Sequence, residues 1–181
     1  MSFTDANLIA RVLSHEDQHA FGELVRRYQS PVRAFLVRML HDSATADDLA
    51  EQTFLKAWHK LHTFRSGARF STWLFAIAFN ELRSDRRRKK ELLVEDTDMA
   101  ETEEAAMETN TSLHMDLNEA LKSLNSAERA AVVLCCQNGL SHEEAAQVLE
   151  CPLGTVKTNI LRRKEKLKRR LALAYEDYEP A

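Results

Sequence analysis

From Phe64 to Lys90 the chain reads FRSGARFSTWLFAIAFNELRSDRRRKK, and this stretch decides the fold class. Its apolar residues recur at steps of three and four, which predicts a helix with one buried face. We expect that face to comprise Phe70, Trp73, Leu74, Ile77, Ala78 and Leu82. The residues expected off this face, and therefore accessible, are Phe75, Phe79, Asn80 and Arg83. Six of the last eight positions are Arg or Lys.

Exposed aromatic rings beside a run of basic residues are typical of proteins that bind unpaired nucleic acid. An aromatic face stacks on an unpaired base with about 1–3 kcal/mol, while Arg and Lys attract the phosphates. The stretch therefore favours opened DNA over an intact duplex. The same residues allow an alternative interpretation, in which an ordinary core helix ends in a solvated basic segment.

The composition indicates an all-α protein with enough apolar material for one or two small cores. The chain has 181 residues, of which 44% are hydrophobic and 29% charged. Only four Gly and three Pro interrupt it, and apolar and polar residues do not alternate strictly. No apolar run approaches the roughly 20 residues of a membrane span, and the N-terminus has no signal-peptide pattern. We therefore expect a cytoplasmic protein without membrane insertion.

The cysteines predict neither a disulfide framework nor a metal centre. Cys135, Cys136 and Cys151 are odd in number, two are adjacent, and none has CxxC spacing. We expect packed thiols, with no metal and no cofactor.

The charge distribution divides the chain into two domains. The net charge is only −3, but the stretch Glu91–Asp116 holds nine acidic residues and no Lys or Arg. Its low aromatic and β-branched content predicts a flexible acidic linker. The predicted organisation is a first domain over residues 1–90, a linker over 91–115 and a second domain over 116–175.

Two further amphipathic helices precede the aromatic helix. They are predicted over Phe21–Leu40 and over about Thr45–Leu61. Asp47 and Asp48 then fall in the first turn of the second helix, where acidic side chains stabilise the helix dipole. A bundle of three to four helices is the expected first domain.

The second domain has the pattern of a helix-turn-helix. Gly139 is suited to a left-handed helix end, and Ser141 with Glu144 forms a capping box for the next helix. Pro152 ends that helix and begins the last one. The last helix carries eight basic residues between Lys157 and Arg170, against one acidic residue. This arrangement predicts a recognition helix, the alternative being a solvated basic helix.

Helical geometry divides that last helix into two faces. The residues expected to dock on the preceding helix are Leu153, Val156, Ile160, Leu167 and Leu171. Those expected to reach the major groove are Thr155, Thr158, Leu161, Arg162 and Arg169. Lys157, Lys164 and Lys166 flank the groove, where lysine ammonium groups bind phosphates.

Both halves resemble extracytoplasmic function (ECF) sigma factors of the sigma-70 family. AFGELVRRYQSPV, ATADDLAEQTFLKAWHKL and FRSGARFSTWLFAIAFNELRSDRRR are similar to successive parts of sigma domain 2. ALKSLNSAERAAVVLCCQNGLSHEEAAQVLECPLGTVKTNILRRKEKL is similar to sigma domain 4. Three positions depart from the family pattern: Asn125 replaces a frequent Pro, Asn159 replaces a frequently basic residue, and AEQTF replaces the commoner QETF.

The resemblance implies an alternative sigma factor that binds core RNA polymerase, directs promoter-specific initiation and aids strand opening without enzymatic activity. The implied partners are the β′ clamp and β flap of the polymerase, promoter DNA and an anti-sigma factor. For the minus-ten element the implied residues are Phe64, Arg65, Asn80, Arg83, Arg86, Arg87 and Arg88. For the minus-thirty-five element they are Thr155, Lys157, Thr158, Leu161, Arg162 and Lys164. For core polymerase they are Asp47, Asp48, Leu49, Glu51, Gln52, Phe54 and Trp58.

Two other functions are compatible with part of these patterns. A transcriptional regulator would use the helix-turn-helix alone, as a dimer on duplex DNA without polymerase. An adaptor would occupy polymerase without reading DNA. An enzyme is disfavoured, because Asp47 and Asp48 have no neighbouring His or Gly-rich loop.

Overall fold

A computed structural model describes residues 3–65, 67–95, 121 and 124–161, and these residues are mainly helical. No β-strand occurs in these ranges, which confirms the all-α fold class. Contacts divide the chain into two compact units, Met1–Glu104 and Ala105–Ala181. None of the helices that the structure describes is long and apolar enough to cross a membrane.

The described part of the first unit contains four helices. They are α1 (Asp5–His15), α2 (Gln18–Leu40), α3 (Ser43–Lys60) and α4 (Phe70–Glu95), with a 3-10 turn at Leu61–Thr63. Helix α1 is not among the helices predicted from the sequence. Leu8, Ile9 and Val12 form its buried face, and Thr4 caps its first turn. Because α4 runs to Glu95, residues 91–95 of the predicted linker are helical, and residues 96–115 lie outside the described residues.

The start of α3 differs from its predicted position. Asp42 is the N-cap, and its carboxylate accepts a hydrogen bond of 3.0 Å from the backbone N–H of Ala44. Asp47 and Asp48 therefore lie beyond the first turn, so the predicted dipole role is wrong for both. Asp47 instead forms an ion pair with Arg33 of α2, across the α2–α3 contact.

The core of the first unit corrects the predicted faces of α4. Phe75 was expected to be accessible, yet it is only 2% exposed. Its ring packs edge-on against Phe35 of α2, with the centroids 5.6 Å apart. Trp73 and Ile77, predicted to be buried, are half-buried. Since α4 packs against both α2 and α3, its buried face is wider than a single apolar stripe and is rotated from the predicted one.

The second unit contains three described helices. These are α5 (Ser126–Val132), which continues into a π-helical turn at Val133–Gln137, then α6 (His142–Leu149) and α7 over residues 153–161. The predicted capping box of Ser141 with Glu144 is present. A second capping box pairs Asn125 with Glu128. Asn125 stands where the family frequently has Pro, and its side chain therefore caps α5.

Candidate nucleic-acid interfaces and docking groove

Phe64 is held at the edge of an aromatic cluster just before α4. Its centroid lies 5.8 Å from that of Phe70 and 5.6 Å from that of Trp73, both in edge-to-face geometry. Phe70 is buried, whereas Phe64 and Trp73 are half-buried. Arg65 is exposed beside this cluster. The ring of Phe64 is therefore fixed in orientation while part of it remains accessible, as a stacking platform requires.

A line of accessible groups continues along α4 from that cluster. Trp73, Asn80 and Arg87 are seven residues apart, so they lie on one side of the helix at a spacing of about 10.5 Å. Asn80 and Arg87 are exposed. The structure thus aligns an aromatic platform, an amide and a guanidinium, which can respectively stack on a base, hydrogen-bond a base edge and contact a phosphate.

The predicted cations of α4 also contact groups of their own domain, and Arg87 itself lies 3.8 Å from the carboxylate of Glu91. Arg86 donates to the carbonyl oxygen of Met39 at 3.0 Å, and Arg88 lies 2.9 Å from the carboxylate of Asp85. Asp85 is buried, with 3% of its side chain exposed, and also binds Lys89 at 3.0 Å. Arg88 nevertheless remains largely exposed, and a guanidinium has five N–H donors. These contacts orient the basic end of α4, while its Arg side chains stay exposed. Arg83 is also exposed.

An apolar groove of about 580 Å³ runs between α2 and α3. Three predicted polymerase-binding residues line it, namely Glu51, Phe54 and Trp58. The structure adds Gln18, Phe21, Val25, Gln29, Arg33, Ala50 and Leu55 to the lining. Trp58 packs edge-on against Phe21 at 5.0 Å, which fixes one wall. Little marks these seven additional residues as members of a binding surface. Among their apolar side chains only that of Leu55 is highly exposed, at 47%.

The remaining predicted polymerase-binding residues do not line this groove. Asp47, Asp48 and Gln52 are exposed on α3, with Asp47 bound to Arg33. Leu49 is only 7% exposed and belongs to the core. Leu49 can therefore affect a partner only through the packing of α3.

The described part of α7 has the predicted two faces. Val156 and Ile160 are buried, at 0% and 8% exposure. The predicted DNA-facing residues Thr155, Lys157, Thr158 and Leu161 are exposed. Leu161 is 71% exposed, so its side chain is accessible to an apolar group such as a thymine methyl group. Arg162 and Lys164 lie outside the described residues.

Comparison with known protein families assigns both units. Models of sigma-70 region 2 and of sigma-70 region 4 match residues 24–91 and 114–167, respectively. The chain belongs to the sigma-70 family. It is an ECF sigma factor, which binds core RNA polymerase and directs promoter-specific initiation of transcription.

Two curated relatives match the sigma factor over nearly their whole length. The chain is 34% identical over 179 residues to the ECF RNA polymerase sigma-E factor of Escherichia coli, covering 90% of this chain and 91% of that protein. It is 31% identical over 181 residues to the RNA polymerase sigma-H factor of Pseudomonas aeruginosa, covering 92% and 93%.

Two solved structures are similar to the sigma factor at the level of the fold. The sigma factor RpoE of Bartonella quintana, in complex with the anti-sigma factor NepR, gives a TM-score of 0.71 at 28% identity, covering 84% of this chain and 96% of that one. CnrH, in complex with the cytosolic domain of CnrY, gives 0.69 at 28% identity, covering 93% and 97%.

The cysteines of this sigma factor differ in their environment. Burial raises the pKa of Cys135 to about 11, and its Sγ lies 3.8 Å from the carbonyl oxygen of Ser141. Burial also raises the pKa of Cys151. Cys136 is exposed, so the expectation of a packed thiol is wrong there. Within the described ranges, no group of three or more His, Cys, Asp or Glu side chains is arranged to hold a metal ion.

Proposed function

We propose that the first unit captures the opened minus-ten strand. Phe64 and Arg65 with Asn80 form the base pocket, and Arg83, Arg86, Arg87 and Arg88 contact the adjoining phosphates. The observation that supports this most directly is the line of Trp73, Asn80 and Arg87 continuing from the anchored ring of Phe64. A flipped base gains stacking and hydrogen bonds there that it lacks in a duplex, which favours strand opening.

The α2–α3 groove docks core polymerase at the β′ clamp. Its walls combine apolar side chains with Glu51 and Arg33 at the margin, as is typical of interfaces with an apolar centre and a polar rim. Asp48 and Gln52, which are exposed on α3, extend the contact, and Asp47 contributes through its ion pair with Arg33. Leu49 supports this surface from within the core.

The second domain, residues 116–175 of the predicted organisation, reads the minus-thirty-five element as a duplex and contacts the β flap. Thr155, Thr158 and Leu161 face the major groove, and Lys157 contacts a phosphate. From the sequence pattern we expect Arg162 and Lys164 to belong to the same DNA-contacting set. The acidic linker, residues 91–115, ties this unit to the first domain, residues 1–90, and so raises the effective concentration of each unit on one promoter.

The remaining properties follow from this assignment. The factor performs no covalent chemistry, requires no cofactor and acts in the cytoplasm. An anti-sigma factor restrains it, because the similar sigma factor RpoE of Bartonella quintana was solved in complex with the anti-sigma factor NepR, and the similar protein CnrH in complex with the cytosolic domain of CnrY. Membership of the sigma-70 family disfavours the simple regulator.

Transcription by the full chain with bacterial core polymerase on a randomised promoter library tests the proposal. We expect enrichment of promoters with two conserved blocks. Asn80→Ala should reduce promoter opening about tenfold, because it removes about one hydrogen bond to a base. The affinity for polymerase should stay unchanged. Arg26→Gln, which removes only an exposed ion pair with Glu23, is the matched control.

Two results would redirect the interpretation. Duplex binding by the chain alone, without polymerase binding, would support the simple regulator. Unchanged transcription by both Asn80→Ala and Arg162→Ala would support an adaptor that does not read DNA.

A further inference from the structure

The N-terminus of α1 is fastened to α2 by the carboxylate of Asp5. The hydroxyl group of Tyr28 donates a hydrogen bond to one carboxylate oxygen of Asp5. The guanidinium of Arg27 binds the other oxygen at 2.8 Å and also donates to the backbone carbonyl of Phe3 at 2.6 Å. Tyr28 is half-buried, so its hydroxyl is fixed in a partly dehydrated site.

The ring of Tyr28 connects this anchor to the aromatic cluster before α4. Its centroid lies 5.3 Å from that of Phe70, with the planes at 65°. Phe70 in turn packs edge-on against Phe64. Asp5 therefore reaches Phe64 through two intervening aromatic side chains, Tyr28 and Phe70.

The contacts restrict the freedom of Phe64 from one side. Edge-to-face packing depends on the relative tilt of the rings, so a rotated Tyr28 changes the position that Phe70 offers to Phe64. Binding sites hold their contact groups within about 0.5 Å of the productive position by means of such supporting side chains. Arg69, the residue directly before α4, is close enough to Tyr28 to influence its ionisation.

We propose that Tyr28, held by Asp5, is a positioning residue that sets the orientation of Phe64 for base capture. The inference rests on the proposed role of Phe64 in the minus-ten pocket. It assigns to α1 a part in selecting the captured base, although α1 itself need not touch DNA. The property that Tyr28 affects is the discrimination between the four bases at the captured promoter position.

The test uses the full chain in complex with core polymerase. The probe is a forked DNA that carries the promoter enriched from the library, with each of the four bases in turn at the captured position. The measured quantity is the ratio of affinities for the preferred base and the other three. Tyr28→Phe removes only the hydroxyl, Asp5→Asn removes the charge, and Arg26→Gln of the same helix is the control.

We expect Tyr28→Phe to lower this ratio about three- to tenfold, the range for one lost hydrogen bond between partly buried groups. In the double variant with Asp5→Asn, the affinity ratio should fall no further than in the more strongly affected single variant. Asp5→Asn weakens the same contact that Tyr28→Phe removes. Affinity for polymerase and for the minus-thirty-five duplex should stay unchanged. A purely structural role would lower the active fraction without changing the ratio.

Phe64→Ala separates this inference from the proposed function. If Phe64→Ala loses discrimination while Tyr28→Phe keeps the wild-type ratio, the positioning role is refuted and the pocket assignment stands. If Phe64→Ala itself keeps the wild-type ratio, the pocket assignment fails and the positioning role fails with it.

Discussion

At the scale of single residues, the environment of a side chain decides its role more than its type does. Phe64 and Phe75 are both aromatic residues of the stretch that ends in the basic run. Phe75 is buried against Phe35, whereas Phe64 is half-buried at the edge of its cluster. Of these two phenylalanines, only Phe64 can therefore offer part of its ring to a base. Similarly, Asp85 is buried and forms ion pairs with Arg88 and Lys89 of α4, whereas Asp48 is exposed on α3.

The ionisation of Tyr28 should report directly on its contact with α1. Burial, followed by the hydrogen bond to Asp5 and the charge of Asp5, raises the pKa of Tyr28 from 10.0 to about 12. The neutral hydroxyl therefore stabilises the fold below pH 10, and this contribution is lost as the pH rises from about 10 to about 12.

Tyrosinate absorbance after a rapid pH jump measures this ionisation. We expect one tyrosine ionisation step that lies well above the ordinary pKa of 10.0. Tyr28→Phe should remove the late step. Asp5→Asn should move it only part of the way towards 10, since burial is the larger cause. Simultaneous ionisation of all three tyrosines near pH 10 would contradict the contact.

At the scale of elements, the sequence predicts helices well and their contacts less well. The capping box of Ser141 and the two faces of the described part of α7 depend on local spacing, and both predictions are confirmed. The burial of Phe75 depends on how many helices surround α4, which local spacing does not contain. The groove lining is likewise formed by two helices, so residues of α2 such as Phe21 could not be found from the pattern of α3 alone.

The caps of the second unit should contribute measurably to its stability. Asn125→Ala removes the acceptor for the backbone N–H of Glu128 and should lower the free energy of unfolding by about 1 kcal/mol. Ser141→Ala should cost a similar amount, because it breaks the same motif before α6. Gln147→Ala, at an exposed position inside α6, is the control. Denaturant unfolding measures all three variants, and equal stability of Asn125→Ala and Gln147→Ala would disprove the capping contribution.

At the scale of the whole molecule, each unit has its own buried core. The first centres on residues such as Phe35 and Phe75, and the second on residues such as Leu134 and Val148. Two cores on one chain allow each unit to keep its fold while it binds a different part of a promoter. The linker then determines how readily both bind together.

Separate cores predict separate unfolding. Phe75→Ala should destabilise the first unit by about 3–5 kcal/mol, and Leu134→Ala should destabilise the second by about 2–5 kcal/mol. Neither substitution should shift the unfolding transition of the other unit. Both tryptophans, Trp58 and Trp73, lie in the first unit, so fluorescence reports that unit while far-ultraviolet circular dichroism reports both. One shared transition, shifted equally by either variant in both signals, would show that the units unfold as one.

The length of α4 has a consequence for how this protein can change in evolution. One continuous helix of 26 residues carries the buried Phe75, the exposed Asn80 and the basic end. Each added or deleted residue rotates everything beyond it by about 100° around the helix axis. A single-residue insertion after Ala78 would turn Asn80 and Arg87 away from the side they share with Trp73. Substitutions can therefore alter the DNA-facing side of α4 one residue at a time, whereas single-residue insertions and deletions are excluded by helical phase.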